Sequence, residues 1–203
     1  MNASRLDAAL GDRWELAHGY FKRHAACRYT HAVLDAVLTL REGHGIAARD
    51  VDSVRVETYP AAAALDRTRP TNALQAKFSV PFAVATALVT GTTEKAAFDP
   101  EALTDEALAL ADRVTVVVDE EIASRVPDER GARVTLTLAD GAQHGHEVRA
   151  ARGGDHDPFT GAELKEKFDA LVVPVVGAER ARRLWDAARE PAPPRVLATL
   201  TSS

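Results

Sequence analysis

RVTLTLADGAQHGHEVRA, residues 133–150, carries the clearest β-hairpin pattern in this chain. Apolar and polar residues alternate from Val134 to Leu138, which is the pattern of a strand with one buried face. Asp140-Gly141 then supplies a tight turn, and a second polar-rich strand follows it. The stretch therefore predicts a pair of antiparallel strands.

Two further stretches predict strands. VDSVRVETY, residues 51–59, alternates between apolar and polar residues and is typical of a half-buried strand. VTVVVD, residues 114–119, is a continuous apolar run, which we expect of a central strand. With the hairpin, these stretches predict a sheet of about four strands.

Helical patterns separate and flank these strands. Apolar residues follow Thr30 at helical spacing, so Thr30 is the expected N-cap and Gly43 the expected end. SVPFAVATALVTG, residues 79–91, is apolar nearly all round, which favours a helix in the middle of the fold, with Ser79 as its N-cap and Gly91 past its end. Amphipathic patterns predict further helices within residues 99–113, 162–172 and 178–188.

The order of these elements predicts one α+β domain over residues 1–203, in which helices cover a mostly antiparallel sheet. Residues 191–203, which are rich in proline at their start, are expected to form an extended tail.

Composition excludes several classes of function. The net charge of −5 gives no reason to expect a nucleic-acid partner, and no apolar stretch approaches the length of a membrane span. One cysteine cannot form a disulfide within the chain, and the N-terminus lacks the order of a signal peptide. We expect a cytoplasmic protein, with an alanine- and arginine-rich composition typical of bacteria.

FKRHAACRYTH, residues 21–31, concentrates the candidate functional residues just before a predicted helix. The N-terminus of a helix carries about half a positive charge, and Lys22 and Arg28 add full charges, so the loop is expected to attract carboxylates or phosphates. Lys22 could act as a general acid, and Tyr29 or His31 could relay protons if burial shifts their pKa values. Alternatively, Lys22 and Arg28 are solvated and His31 is a first-turn histidine with its hydrogen bonds satisfied.

Other motifs are weaker. Lys77 directly precedes the predicted apolar helix, which again suits an anion, although a lysine at the surface is the more frequent outcome. Three groups could be read as metal ligands, and each lacks further ligands: Cys27 with His24 and His31, His144 with His146, and Asp155 with His156 and Asp157. Cys27 as a nucleophile has no distinctive context. We therefore expect no metal and no cofactor.

Four stretches, in order, resemble the C-terminal domain of the MmgE/PrpD family, which includes 2-methylcitrate dehydratases and cis-aconitate decarboxylases. They are LGDRWELAHGYFKRHAACRYTHAVLDAVLTL (10–40), RPTNALQAKFSVPFAVATALVTG (69–91), the strand and Asp-Gly hairpin ending in Gly-Gly, and DPFTGAELKEKF (157–168). The resemblance extends over residues 10–190, and its first two stretches are the most specific.

The resemblance implies the fold of that domain and cofactor-free lyase or isomerase chemistry on a small di- or tricarboxylic acid. A proton next to a carboxylate would be removed, with dehydration, decarboxylation or epimerisation. Lys22 matches a lysine of the family's active site, and Cys27 falls where some members place an active-site histidine. The predicted site is therefore Lys22 and His31 as catalytic residues, with Arg28, Tyr29, Cys27 and Lys77 as substrate-binding residues.

Family members also carry an N-terminal helical domain that supplies an Asp and a His to a site between the two domains. This sequence begins almost where the C-terminal domain begins, so we expect a separate helical chain to complete a split enzyme. Two alternatives are a free-standing homodimer that uses the Lys22 loop for another isomerisation or cyclisation, and a non-catalytic binding or scaffold module.

Overall fold

The computed structural model describes residues 11, 12, 14, 19–155 and 157–189, and the chain divides into two compact units, residues 1–158 and 159–203. The strands are β1 (Val51–Thr58), β2 (Val114–Val118), β3 (Ala132–Leu138) and β4 (Gln143–Val148). The helices are α1 (His31–His44), α2 (Pro60–Ala63), α3 (Ala73–Lys77), α4 (Val80–Thr90), α5 (Asp105–Ala111), α6 (Glu120–Ser124), α7 (Gly161–Val176) and α8 (Ala178–Arg189).

The four strands form one sheet in the order β2-β1-β3-β4. β1 pairs in parallel with β2, whereas the β1–β3 and β3–β4 pairs are antiparallel. The hairpin turns where the sequence predicts, since the amide of Gly141 donates to the carbonyl of Leu138 at 2.9 Å and Gly141 has a φ of +87°. The α+β fold with a mostly antiparallel sheet is thus confirmed.

β2 is an edge strand, so the expectation of a central position for VTVVVD is wrong. The strand is apolar because helices α2 and α4 both contact it, and not because strands flank it on both sides. Val118, the last residue of β2, is exposed. The alternating strand β1 occupies the central position instead, between β2 and β3.

Helix α4 lies in the core, as the sequence predicts: every residue from Val80 to Leu88 is buried. The side chain of Ser79 accepts the amide of Phe82, which caps the helix, and Gly91 ends it with a φ of +72°. Arg41 donates its Nε to the carbonyl of Leu88 at 3.1 Å, and its guanidinium occupies the space that a Cβ on Gly91 would need. The positive φ therefore favours glycine there, and a side chain would also displace the guanidinium of Arg41.

Helix α1 begins and ends differently from the expectation. Thr30 holds the N-cap position, but its hydroxyl donates to the carbonyl of Cys27 at 2.9 Å instead of capping the helix. Residues 28–30 form a 3-10 turn that leads directly into α1, so the amides of Thr30 and His31 already donate to Cys27 and Arg28. The helix ends at Gly45, with a φ of +64°, and not at Gly43.

The second unit contains the two predicted amphipathic helices. Thr160 and Glu163 form a capping box at the start of α7, and the rings of Phe168 and Trp185 pack α7 against α8 with 5.2 Å between centroids. The predicted tail, residues 191–203, lies outside the described residues. Within the described ranges, no helix has both the length and the apolarity that a membrane span needs.

Candidate functional site

The loop that leads into α1 is fixed to distant parts of the chain through its backbone. Three hydrogen bonds of 2.9 Å hold it: from the amide of Phe21 to the carbonyl of Gly153, from Ala25 to Thr93, and from Cys27 to Lys77. The last bond joins the two sequence motifs, the Lys22 loop and the end of α3. Because backbone groups make these bonds, the loop keeps its path whatever its exposed side chains are.

Asp35, in the second turn of α1, supports the loop from beneath. Its Oδ1 accepts Nη1 of Arg23 at 2.7 Å and Nε2 of His24 at 3.1 Å. Its Oδ2 accepts the backbone amide of Arg152 at 3.0 Å. Burial by itself would raise the pKa of Asp35, but the hydrogen bond from His24, the hydrogen bond from the Arg152 amide and the charge of Arg23 outweigh it and lower the pKa.

His24 is buried and serves this network. Because a carboxylate only accepts, Nε2 of His24 carries the proton that reaches Asp35, and Nδ1 accepts the hydroxyl of Thr93 at 2.5 Å. Burial lowers the pKa of His24 against the opposing effect of Asp35, so the ring is neutral near pH 7. Both nitrogens are engaged within the protein, which leaves His24 without a lone pair for a metal.

His31 connects the loop to Arg28. Its Nδ1 accepts Nη1 of Arg28 at 3.3 Å and its Nε2 donates to the carbonyl of Ala26 at 3.4 Å. Burial, together with the nearby His24 ring and the charge of Arg28, lowers the pKa of His31 to about 3. The ring is fully buried and neutral, so what it does in this structure is hold Arg28 and the Ala26 carbonyl in place.

Lys22 is one of the exposed residues of the loop. Its Nζ donates to the carbonyl of Ala26 at 3.1 Å, which holds the ammonium against the backbone of the loop. Cys27 is partly buried with a free thiol. The anchored backbone of the loop thus carries an exposed lysine, Lys22, and a partly buried cysteine, Cys27.

Tyr59 lies behind the loop, at the end of β1. It is 3% exposed, and its hydroxyl is a buried polar atom that has no hydrogen-bond partner among the described residues. The ring of Tyr29 packs edge-on against it with 5.8 Å between centroids. Burial raises the pKa of Tyr59, and the charges of Arg130 and Arg28 oppose that rise. A buried hydroxyl without a partner is uncommon.

The predicted site residues come together in part. Five of the six share the loop and the first turn of α1: Lys22, Cys27, Arg28, Tyr29 and His31. Lys77 joins through its backbone carbonyl, and its ammonium forms no hydrogen bond or ion pair with the described part of the chain. Sequence reasoning missed Asp35 and Tyr59, although an aspartate inside the apolar pattern of α1 was a usable signal.

Among residues 19–155 and 157–189, no group of three His, Cys, Asp or Glu side chains is placed to hold a metal ion. His144 packs its ring on His44 with 4.1 Å between centroids, at the far end of α1 from the loop. His156 lies outside the described residues.

Exposed apolar side chains accompany the loop and α3. We refer to them as the apolar patch: Tyr20, Phe21, Tyr29, Leu74 and Phe78. They belong to the two segments that the backbone bond from Cys27 to Lys77 joins, and Phe21 and Phe78 are adjacent in sequence to Lys22 and Lys77. Exposed apolar side chains concentrated on adjoining segments are typical of a surface that meets another protein.

The family model of the MmgE/PrpD C-terminal domain matches residues 24–190. The cis-aconitate decarboxylase-like protein oryM of Aspergillus oryzae (strain ATCC 42149 / RIB 40) is 26% identical over 189 residues, which cover 88% of this chain and 39% of that protein. The chain therefore spans about two fifths of the length of the curated relative that it matches. Since the family model covers most of the sequence, including the loop from His24 onward, α4 and the hairpin, this chain belongs to the MmgE/PrpD family through its C-terminal domain.

Proposed function

We propose that this chain is the C-terminal-domain subunit of a split lyase or isomerase that acts on a small di- or tricarboxylic acid without a cofactor. A proton next to a carboxylate is removed, and water, carbon dioxide or only the stereochemistry of that carbon changes. A separate helical chain, similar to the N-terminal domain of the family, completes the site.

One observation carries the proposal: a buried network fixes the loop while Lys22 remains exposed on it. Asp35, His24 and three backbone bonds determine the path of the loop, so Lys22 needs no rearrangement to meet a substrate. A positioned ammonium can donate a proton, or stabilise the negative charge that develops when a proton leaves a carbon next to a carboxylate. We assign Lys22 this role.

The remaining site residues have supporting roles in the proposal. Arg28 binds a carboxylate, Tyr29 and Cys27 form the adjoining wall, and Lys77 contributes positive charge from the neighbouring segment. For His31, burial and two engaged nitrogens favour positioning of Arg28 over proton transfer. Proton transfer by His31 itself stays a prediction.

The surroundings of Lys22 support the proposal that a second chain supplies the base. Three titratable groups of the buried network are engaged: Asp35 accepts three hydrogen bonds, and both nitrogens of His24 and of His31 have partners. None of them is placed to take a proton from a substrate at the surface. The apolar patch beside Lys22 offers a surface on which a helical chain bearing the base can bind.

Proton exchange tests the proposal without knowledge of the substrate. This chain is co-expressed with a helical-domain chain of the family, and candidate di- and tricarboxylic acids are followed by NMR in D2O for exchange of hydrogens next to a carboxylate. We expect exchange by the complex, its loss in Lys22→Met, and its retention in Lys95→Met, a control lysine that is exposed and pairs with Asp99.

The other outcomes separate the alternatives. Exchange by this chain alone, abolished by Lys22→Met, would establish the free-standing enzyme. A stable complex without exchange would indicate the binding or scaffold module. Exchange that survives Lys22→Met would overturn the assignment of Lys22.

A further inference from the structure

A cleft of about 320 Å³ opens between the segment that precedes the Lys22 loop and the connection from α6 to β3. Its lining residues are Gly19, Tyr20, Arg28, Pro127, Asp128, Arg130, Ala150, Ala151, Gly154 and Asp155. The volume lies at the lower end of the range of about 300–1,000 Å³ typical of small-molecule sites. Two arginines that are distant in sequence therefore meet at one small cleft.

Arg28 reaches this cleft as a cation without a carboxylate partner in the described part of the chain. Its guanidinium donates to the carbonyls of Ala151 at 3.1 Å and Arg152 at 3.2 Å, and to the neutral ring of His31. Tyr20 lies against it, with 4.3 Å from Cζ to the ring centroid. All these partners are uncharged, so the position of Arg28 is fixed while its positive charge is not neutralised.

Gly154 lies close to the guanidinium of Arg28. A Cβ on Gly154 would come within 3.3 Å of Nη2 of Arg28 and 3.9 Å of the Tyr20 side chain. The absence of a side chain thus keeps open both the guanidinium and the cleft beside it.

Arg130 belongs to the connection from α6 to β3, which forms the other side of the cleft. It is exposed, and among the described residues it forms neither an ion pair nor a side-chain hydrogen bond. The connection that carries it is held between charged neighbours: Arg133 donates to Glu147 from Nε at 3.0 Å and from Nη2 at 2.8 Å, and Arg125 donates to the same carboxylate at 2.9 Å. Arg130 is therefore an unneutralised cation on an anchored connection.

We propose that this cleft is a carboxylate subsite, in which Arg28 and Arg130 together bind a carboxylate of the substrate other than the one next to the reacting carbon. Arg130 then sets the requirement for an acid with at least two carboxylates. The proposal rests on the proposed function in taking that acid to be the substrate, but binding in the cleft is measurable without turnover.

The chemistry of the cleft favours a carboxylate over a phosphate. A planar guanidinium matches the two oxygens of a carboxylate, and Tyr20, Pro127 and the two alanines supply an apolar wall for a short carbon chain. Asp128 and Asp155 at the same cleft balance the formal charge of the two arginines, which disfavours a dianionic phosphate more than a single carboxylate.

Titration of the purified full-length chain with tricarballylate, an unreactive tricarboxylate, tests this subsite. Calorimetry gives the Kd, and amide shifts in NMR locate the site. We expect saturable binding with shifts at Gly19, Ala151 and Gly154. Arg130→Gln should raise the Kd about tenfold, as the loss of one charge-assisted contact does. Because Arg130 has no intramolecular partner among the described residues, this variant should fold normally.

Arg49→Gln is the matched control, since it also removes one positive charge from an exposed arginine. Arg49 lies just before the start of β1 and does not line the cleft. This control variant should leave the Kd within about twofold of the wild-type value. An equal effect of the two variants, no saturable binding up to about 50 mM, or shifts confined to residues outside the cleft would each overturn the subsite. Tighter binding of inorganic phosphate than of tricarballylate would overturn its assignment to carboxylates.

These results are independent of the proton-exchange experiment. If Lys22→Met leaves exchange unchanged while Arg130→Gln weakens tricarballylate binding, the proposed function fails and the subsite stands. If exchange depends on Lys22 but the Kd does not depend on Arg130, the subsite fails and the proposed function stands.

Discussion

The carboxylate of Asp35 and the imidazole of His24 form a buried hydrogen-bonded pair beneath the Lys22 loop, with 3.1 Å between Oδ1 and Nε2. The same carboxylate binds the backbone of Arg152, which belongs to a segment 117 residues away. The side chain of Asp35 thereby binds two segments of the candidate site. One is the loop with Lys22, and the other is the segment whose carbonyl groups accept hydrogen bonds from Arg28.

Asp35→Asn should destabilise the chain by about 2–4 kcal/mol, because it removes a buried charge that accepts three hydrogen bonds and places an NH2 group among donors. Urea unfolding at pH 7 measures the change in the free energy of unfolding. Asp52→Asn, at an exposed position of β1, is the control and should change it by less than about 0.5 kcal/mol. Equal effects of the two variants would show that Asp35 does not organise the loop.

Acidification should destabilise the chain, because the buried histidines and Asp35 bind protons less readily in the folded state. The pKa of His31 falls from 6.5 to about 3 on folding, chiefly through burial. Its contribution to stability is complete above pH 6.5 and is lost as the pH falls from there toward 3, at about 1.4 kcal/mol per pH unit. Asp35, whose pKa is lowered too, keeps its contribution above the unfolded value and loses it as the pH falls through the folded one.

The pH dependence is measured by urea unfolding at several pH values between about 7.5 and 4.5. His31→Gln keeps a neutral group that can donate and accept, but it cannot take up a proton in the unfolded state. The slope of unfolding free energy against pH should therefore be shallower in His31→Gln than in the wild type. Identical slopes below pH 6 would contradict the assignment of a buried, neutral His31.

Tyr59→Phe should raise the stability of the chain alone by about 1 kcal/mol, because it removes a buried hydroxyl that has no partner among the described residues. Thermal and urea unfolding measure this effect. If a ligand or a second chain supplies the partner of that hydroxyl, the same variant should weaken the complex while it stabilises the free chain. A loss of stability in the free chain would show that the hydroxyl already has a partner.

The elements of the fold that depend on local sequence patterns were predicted, and those that depend on long-range contacts were not. The hairpin at Asp140-Gly141 and helix α4 depend on alternation, capping and glycine conformation within a few residues, which a sequence displays directly. The edge position of β2 depends on which strand lies beside β1, and no local pattern specifies that. The end of α1 at Gly45 depended on which of two nearby glycines adopts a positive φ.

The same distinction between local patterns and long-range contacts applies to the candidate site. The loop from Lys22 to His31 was visible as a cluster of polar residues at a helix start. By contrast, the contacts of Arg28 with Ala151 and of Asp35 with Arg152 join residues 123 and 117 positions apart. Arg130 carries no sequence signal, since one arginine in a polar connection is ordinary, and only the fold brings it to the cleft with Arg28.

Removal of two aromatic side chains from the apolar patch should weaken association with the proposed helical chain and leave the fold intact. Phe21 and Phe78 are 60% and 49% exposed, so Phe21→Ser with Phe78→Ser should change the unfolding free energy little. Loss of two aromatic contacts at an interface should weaken binding by about a hundredfold. Val175→Ser, at an 80% exposed position in α7, is the control. Sedimentation of each variant with the helical chain measures the Kd, and an unchanged Kd in the double variant would place the interface elsewhere on this chain.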